Sequence, residues 1–145
     1  MLRKDTLNYL AGFFDGEGCI YINKQKNVRN PKRSITYQGA VEVANTKKEQ
    51  LLLFSKYFGG KIRCYYDVDR PNGKYFWRIV SRDAVKFCKV IKGYLLTKEE
   101  QAEVVIELHK TMKPRGNAHV PDDIIKYREQ LYQEMRTLNK TKKVT

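Results

Sequence analysis

The spacing of apolar residues changes period several times along the chain, and each change marks an element. Residues 7 to 17, Leu-Asn-Tyr-Leu-Ala-Gly-Phe-Phe-Asp-Gly-Glu, carry apolar groups at helical spacing behind Asp5 and Thr6, both good helix caps. Gly18 ends that helix, and residues 19 to 26 alternate: Ile20 and Ile22 point one way, Tyr21, Asn23 and Gln25 the other. Alternation returns over residues 36 to 45, where Val41 and Val43 oppose Gln38, Ala40, Glu42 and Ala44. The two strands are expected to pair as a hairpin around a long loop. Thr46, Lys47, Lys48 and Glu49 read as a capping box for a helix that carries Leu51, Leu52, Phe54 and Phe58 and closes at Gly59 and Gly60. In a second hairpin Ile62 and Cys64 oppose Arg63 and Tyr65, Pro71, Asn72 and Gly73 form the turn, and residues 75 to 80 return with Trp77 and Ile79 inward. Residues 81 to 94 and 97 to 112 read as helices, and Pro121 opens a last helix reaching about Asn139, with Pro114 and Gly116 in the bend before it.

The predicted order is therefore α-β-β-α-β-β-α-α-α, an α+β fold with four antiparallel strands and helices on one sheet face. No repeat, low-complexity tract or linker interrupts it, so residues 1–145 read as a single domain. The other sheet face would present Tyr21, Asn23, Gln25, Gln38, Glu42, Arg63, Tyr65 and Arg78. Arginine can grip guanine, and Asn or Gln can grip adenine, because each offers two hydrogen-bonding atoms at base-edge spacing. Such a face suits a DNA major groove.

Charge strengthens that reading. The 145 residues hold 29 Lys and Arg against 16 Asp and Glu, a net charge of +13, which points to a polyanionic partner. Lys24, Lys26, Arg29, Lys32 and Arg33 fall within one acid-free stretch, expected to contact phosphates. Lys140, Lys142 and Lys143 add a smaller basic cluster near the end. Ten Tyr, six Phe and one Trp can fill a core, which excludes a disordered basic tail. No apolar run approaches the roughly 18 residues of a membrane span, and Met-Leu-Arg-Lys-Asp is no secretory signal. The expectation is an intracellular protein in the cytoplasm, nucleoid or an organelle interior. Cys19, Cys64 and Cys88 are too few and too widely spaced for a disulfide framework or a zinc site.

The first helix carries the chemistry. Gly12 and Gly16 lie four residues apart on one helical face, and glycine there costs about 1 kcal/mol each against alanine. Close approach of another helix would offset that cost, and the natural partner is the same helix of a second subunit across a twofold axis. Asp15 and Glu17 crowd the negative end of the helix macrodipole. Two subunits would bring two Glu17 side chains together, and carboxylates at short range repel unless cations lie between them. Magnesium takes oxygen ligands and supports phosphodiester cleavage.

Leu10-Ala11-Gly12-Phe13-Phe14-Asp15-Gly16-Glu17-Gly18 resembles the nine-residue signature of the LAGLIDADG homing endonucleases, and a single copy in a short chain resembles their homodimeric branch. The αββαββα order, with a four-stranded DNA-binding sheet and additional C-terminal helices, is similar too. The resemblance implies that Glu17 is the metal-binding carboxylate, where most members carry Asp, and that Gly18 lends its carbonyl to the metal. It implies that Ala11, Gly12, Asp15 and Gly16 form the dimer interface, with Asp15 bonding the partner helix. Asn45 would lie near the scissile phosphate. Lys98, in a K-x-x-Q-A pattern with Gln101 and Ala102, would orient water or stabilise developing charge. Two or three Mg2+ ions would be shared at the dimer axis. The implied activity is a double-strand break in a long, near-palindromic DNA target with short 3′ overhangs, by an enzyme encoded in an intron or intein. Some proteins with this signature are instead RNA maturases that bind intron RNA, and others are non-cleaving DNA-binding regulators. Glu17 and Lys98 favour the nuclease, since a pure binding module has no evident need for paired carboxylates at a dimer axis.

Overall fold

The computed structural model describes residues 2–26, 35–69, 71, 73–112 and 120–140. Helix α1 (Lys4–Glu17) runs directly into strand β1 (Gly18–Gln25), followed by β2 (Thr36–Asn45), α2 (Glu49–Phe58), β3 (Ile62–Tyr65) and β4 (Lys74–Val80). Three helices complete the chain: α3 (Ser81–Ile91), extended by a 3-10 turn at Lys92–Tyr94, then α4 (Glu99–Lys110) and α5 (Asp122–Asn139). Among the described residues no helix is long and apolar enough to cross a membrane.

The four strands form one sheet in the order β1-β2-β4-β3, every neighbouring pair antiparallel. The register follows the alternation. Ile20 pairs with Val41, Val41 with Ile79 and Val43 with Trp77, so these side chains share one face. Tyr21 pairs with Ala40, Glu42 with Arg78 and Arg63 with Phe76, which places the polar set on the other.

Helices cover the apolar face. Phe14, Phe54, Trp77 and Phe87 are fully buried there, with ring centroids 5.0 Å apart for Phe14–Phe87 and for Phe54–Trp77. Rings of this size dominate a small core. The buried indole N–H of Trp77 donates to the Gly59 carbonyl at 2.7 Å, so the end of α2 satisfies the only polar atom of that side chain. The chain turns there through Gly59 and Gly60 at φ of 78° and 86°, and a Cβ on Gly60 would come within 2.8 Å of Ile79.

Two capping expectations are corrected. Thr46 does not cap α2: its N–H donates to Asn45 Oδ1 at 2.7 Å, which draws the chain into a bend at the end of β2 and delays the helix to Glu49. In α1 the N-cap is Arg3, and Asp5 lies in the first turn, where the positive end of the macrodipole favours a carboxylate.

Helix α5 closes the free edge of β1. Asn139 Nδ2 donates to the Ile20 carbonyl at 2.8 Å, and the buried Arg128 ties α5 to the end of α4 through Thr111 Oγ1 and O, each at 2.9 Å. Lys24 forms an ion pair with Glu129 of α5, and its ammonium lies 5.3 Å from the Tyr132 ring centroid. Its place in the alternation puts Lys24 on the side of Ile20 and Ile22. Lys24 therefore fastens α5 to the sheet and is removed from the phosphate-contacting set.

Candidate functional site

Asp15 and Glu17 lie at the C-terminal end of α1, where unsatisfied carbonyls disfavour negative charge. The chain itself relieves the conflict at Asp15. Its Oδ2 accepts the Leu96 N–H at 2.7 Å, and its Oδ1 accepts the N–H groups of Thr97 and Lys98 at 3.1 and 3.2 Å and the Thr97 hydroxyl at 2.9 Å. Desolvation pushes the Asp15 carboxyl up, but these donors outweigh it and hold the pKa below the usual value. Lys98 Nζ donates back to the Asp15 carbonyl, placing an ammonium at the helix end. Asp15 thus anchors the loop into α4 of its own chain, a correction to the expected bond with a partner helix: its carboxylate is already occupied.

Glu17 is exposed beside this anchor, and Gly18 follows as the first residue of β1. A Cβ on Gly18 would lie 2.3 Å from the Phe14 ring, so packing of that ring requires glycine. Across the β1–β2 ladder Glu42 faces Cys19. Partial desolvation and then the Glu42 carboxylate push the Cys19 thiol up, while the Lys98 ammonium pulls it down, so all three share one electrostatic neighbourhood next to Glu17. Asn45 ends β2, half-buried, with its Oδ1 engaged by the Thr46 N–H. No hydrogen bond among the described residues joins it to Glu17 or Lys98.

The donor set at this end fits a hard cation. A carboxylate and a main-chain carbonyl are oxygen ligands, suited to magnesium, which keeps several of its own waters. Among the described residues no group of three His, Cys, Asp or Glu side chains comes together. One chain presents a partial ligand set.

The outward face of α1 is bare. Gly12 and Gly16 are exposed, and a Cβ on either would meet nothing within 4 Å. Tyr9 shares that helical face and is 51% exposed. Ala11, in contrast, is fully covered beside Leu10 and Phe14. This corrects its expected place in an interface, because one residue of rotation along the helix turns it from the surface into the core.

The outward sheet face carries Tyr21 and Asn23 half-buried and Gln25 exposed on β1, with Gln38 and Glu42 half-buried on β2. Arg78 on β4 and Arg63 and Tyr65 on β3 are exposed. Lys26 is exposed just past β1, while Arg29, Lys32, Arg33, Asn72, Pro114, Gly116, Lys142 and Lys143 lie outside the described residues. Gln38 Nε2 donates to Ser81 Oγ at 3.0 Å, and Tyr65 packs edge-on to Phe76 with centroids 5.2 Å apart. Arg78 Nε donates to Tyr21 Oη at 2.9 Å. Register also brings Cys19, Thr36 and Lys74 onto this face, opposite Glu42, Gln25 and Tyr65. Sequence reading passed over these three, although the same alternation that selected Tyr21 would have found them.

A net charge of +13 and a sheet face of amides, tyrosines and arginines suit a polyanionic partner. Residues 10–105 match the LAGLIDADG endonuclease family, and the chain belongs to it. The LAGLIDADG endonucleases are DNA-binding nucleases that use divalent metals. Among solved structures the fold is similar to that of the homing endonuclease I-CvuI, in complex with a DNA target in the presence of magnesium, at TM-score 0.77 and 21% identity over 98% of this chain and 87% of that one. It is likewise similar to the archaeal intron-encoded homing endonuclease I-Vdi141I complexed with DNA, at TM-score 0.75 and 16% identity over 99% and 91% of the two chains. A third likeness is to the homing endonuclease I-TnaI, at TM-score 0.71 and 22% identity over 98% and 92%. No curated protein is matched by sequence.

Proposed function

We propose that two copies of this chain form a homodimer that cuts both strands of a long, near-palindromic duplex and leaves short 3′ overhangs. The observation that carries this reading is the pairing of an exposed Glu17 with a bare Gly12/Gly16 ridge at the end of the same helix. A partner α1 laid along that ridge brings two Glu17 carboxylates to one axis and completes the ligand set that one chain leaves partial. Glu17 and the Gly18 carbonyl would hold Mg2+, two or three ions being shared at the axis. When bound, the metal polarises the phosphate and lowers the pKa of a water.

The remaining roles belong to the chain's own residues. Lys98, held by the Asp15 carbonyl, places its ammonium beside the phosphate to stabilise developing negative charge or orient the attacking water. Asn45 approaches the same phosphate from the end of β2. Each outward sheet face follows the major groove of one half-site, with base edges read by its amides and arginines and the backbone gripped by Lys26, Arg29, Lys32 and Arg33. Residues 1–145 act as one domain, in an intron-encoded enzyme that acts on intracellular DNA. That I-CvuI and I-Vdi141I were solved with DNA supports this use of the shared fold.

The test is incubation of the purified protein with a library of candidate insertion sites in Mg2+, followed by sequencing of the ends. Paired breaks with short 3′ overhangs at the centre of a near-palindrome are expected. Tight, salt-sensitive binding without breaks would contradict the nuclease and direct attention to intron RNA as ligand.

A further inference from the structure

Three observations converge at the centre of the outward sheet face. Arg78 of β4 reaches diagonally over β2 to Tyr21 of β1, donating its Nε to the phenol oxygen at 2.9 Å, with the guanidinium carbon 5.9 Å from the ring centroid. Ala40, opposite both Tyr21 and Val80, is fully covered although the register places it on the outward face. Its methyl group is short enough for the bridge to pass above it. The nearest carboxylate by register, Glu42, stands opposite Arg78, yet among the described residues the two form no ion pair.

An arginine bonded through Nε keeps both terminal NH2 groups for a partner. Those two groups form a fork whose donors match guanine O6 and N7. A freely rotating arginine would sample phosphates and several bases. One whose Nε is fixed presents the fork in a single orientation. Among the described residues no carboxylate pairs with Arg78, so the two terminal groups are open to an acceptor pair.

We infer that Arg78 reads one guanine in each half-site and that Tyr21 is the positioning residue that aims it. This inference rests on the DNA-binding role proposed for the sheet. It distinguishes Arg78 from Arg63, which the structure leaves without a comparable brace among the described residues, and it assigns Tyr21 a role through Arg78 and not through a base of its own.

The test is selection of duplexes from a fully randomised DNA library by the full-length protein in Ca2+, comparing wild type with Arg78→Met and Tyr21→Phe. The wild type should enrich a motif with a strong guanine at one position of each half-site, favoured about ten- to hundredfold over other bases. Arg78→Met should abolish that preference and leave the other positions unchanged. Tyr21→Phe keeps the ring and removes only the acceptor, and it should relax the same position while the rest of the motif persists. A merely structural tyrosine would weaken binding evenly and leave the motif intact. If the two variants alter different positions, or Tyr21→Phe retains the full guanine preference, the inference fails while the DNA-binding reading stands. If the wild type enriches no motif, that underlying reading fails and takes the inference with it.

Discussion

Lys98 and Asp15 hold each other twice: the Lys98 ammonium donates to the Asp15 carbonyl, and the Asp15 carboxylate accepts the Lys98 main-chain N–H at 3.2 Å. The pair closes the end of α1 against the start of α4. It also holds an ammonium at the end of the helix that carries Glu17.

Asp15→Ala should therefore destabilise the protomer by about 1–2 kcal/mol, the upper range for loss of a capping carboxylate, since four donors lose their acceptor. The folded-state pKa of Asp15 lies below its usual value of 3.8. Its contribution is thus present above that value and is lost as pH falls through the lower folded-state pKa. Denaturant melts at neutral and acid pH should show a wild-type advantage over Asp15→Ala that shrinks below about pH 4. An advantage independent of pH would contradict the anchor.

Gly16→Leu should leave the protomer folded, because nothing lies within 4 Å of the added Cβ, while preventing the close approach of two α1 helices. Sedimentation should find wild-type dimers and monomers of the variant with unchanged helix content. A dimeric Gly16→Leu protein would place the interface elsewhere.

Alternation made the two sheet faces legible, because strand pleating has period two whatever the surrounding fold. Ile20 and Ile22 inward, Tyr21 and Asn23 outward and Trp77 buried all followed from it. The bare ridge of Gly12 and Gly16 was legible for a similar reason, since helical spacing fixes which residues share a face. Partners distant in sequence were not. Asp15 meets Leu96 across 81 positions, and nothing in α1 itself distinguishes a carboxylate that holds its own chain from one that waits for another. Alternation alone sets Lys24 on the face of Ile20 and Ile22, but the partner that occupies it, Glu129, lies 105 positions away and leaves no mark on the basic stretch. The Tyr21–Arg78 bridge depended on strand order as well as parity, because it crosses β2 to join residues 57 positions apart.

Those different placements of Lys24 and Lys26 separate in a salt titration. DNA affinity should fall steeply with salt, with a log–log slope of about −0.9 for each phosphate neutralised. Lys26→Ala should reduce the magnitude of that slope by about one contact. Lys24→Ala should leave the slope unchanged and lower the melting temperature, because its ammonium is committed to Glu129 and the Tyr132 ring. The reverse pattern would return Lys24 to the DNA interface.

The most direct test compares wild type with Glu17→Gln on one cleavable target, measuring cutting and binding in parallel with Mg2+ and with EDTA. The substitution removes the carboxylate at the end of α1 and alters no side chain on the outward sheet face. Wild type should cut both strands in a metal-dependent way and Glu17→Gln neither, with DNA affinity for the variant that is equal or higher. Undiminished cutting by Glu17→Gln would contradict the assignment of the catalytic centre.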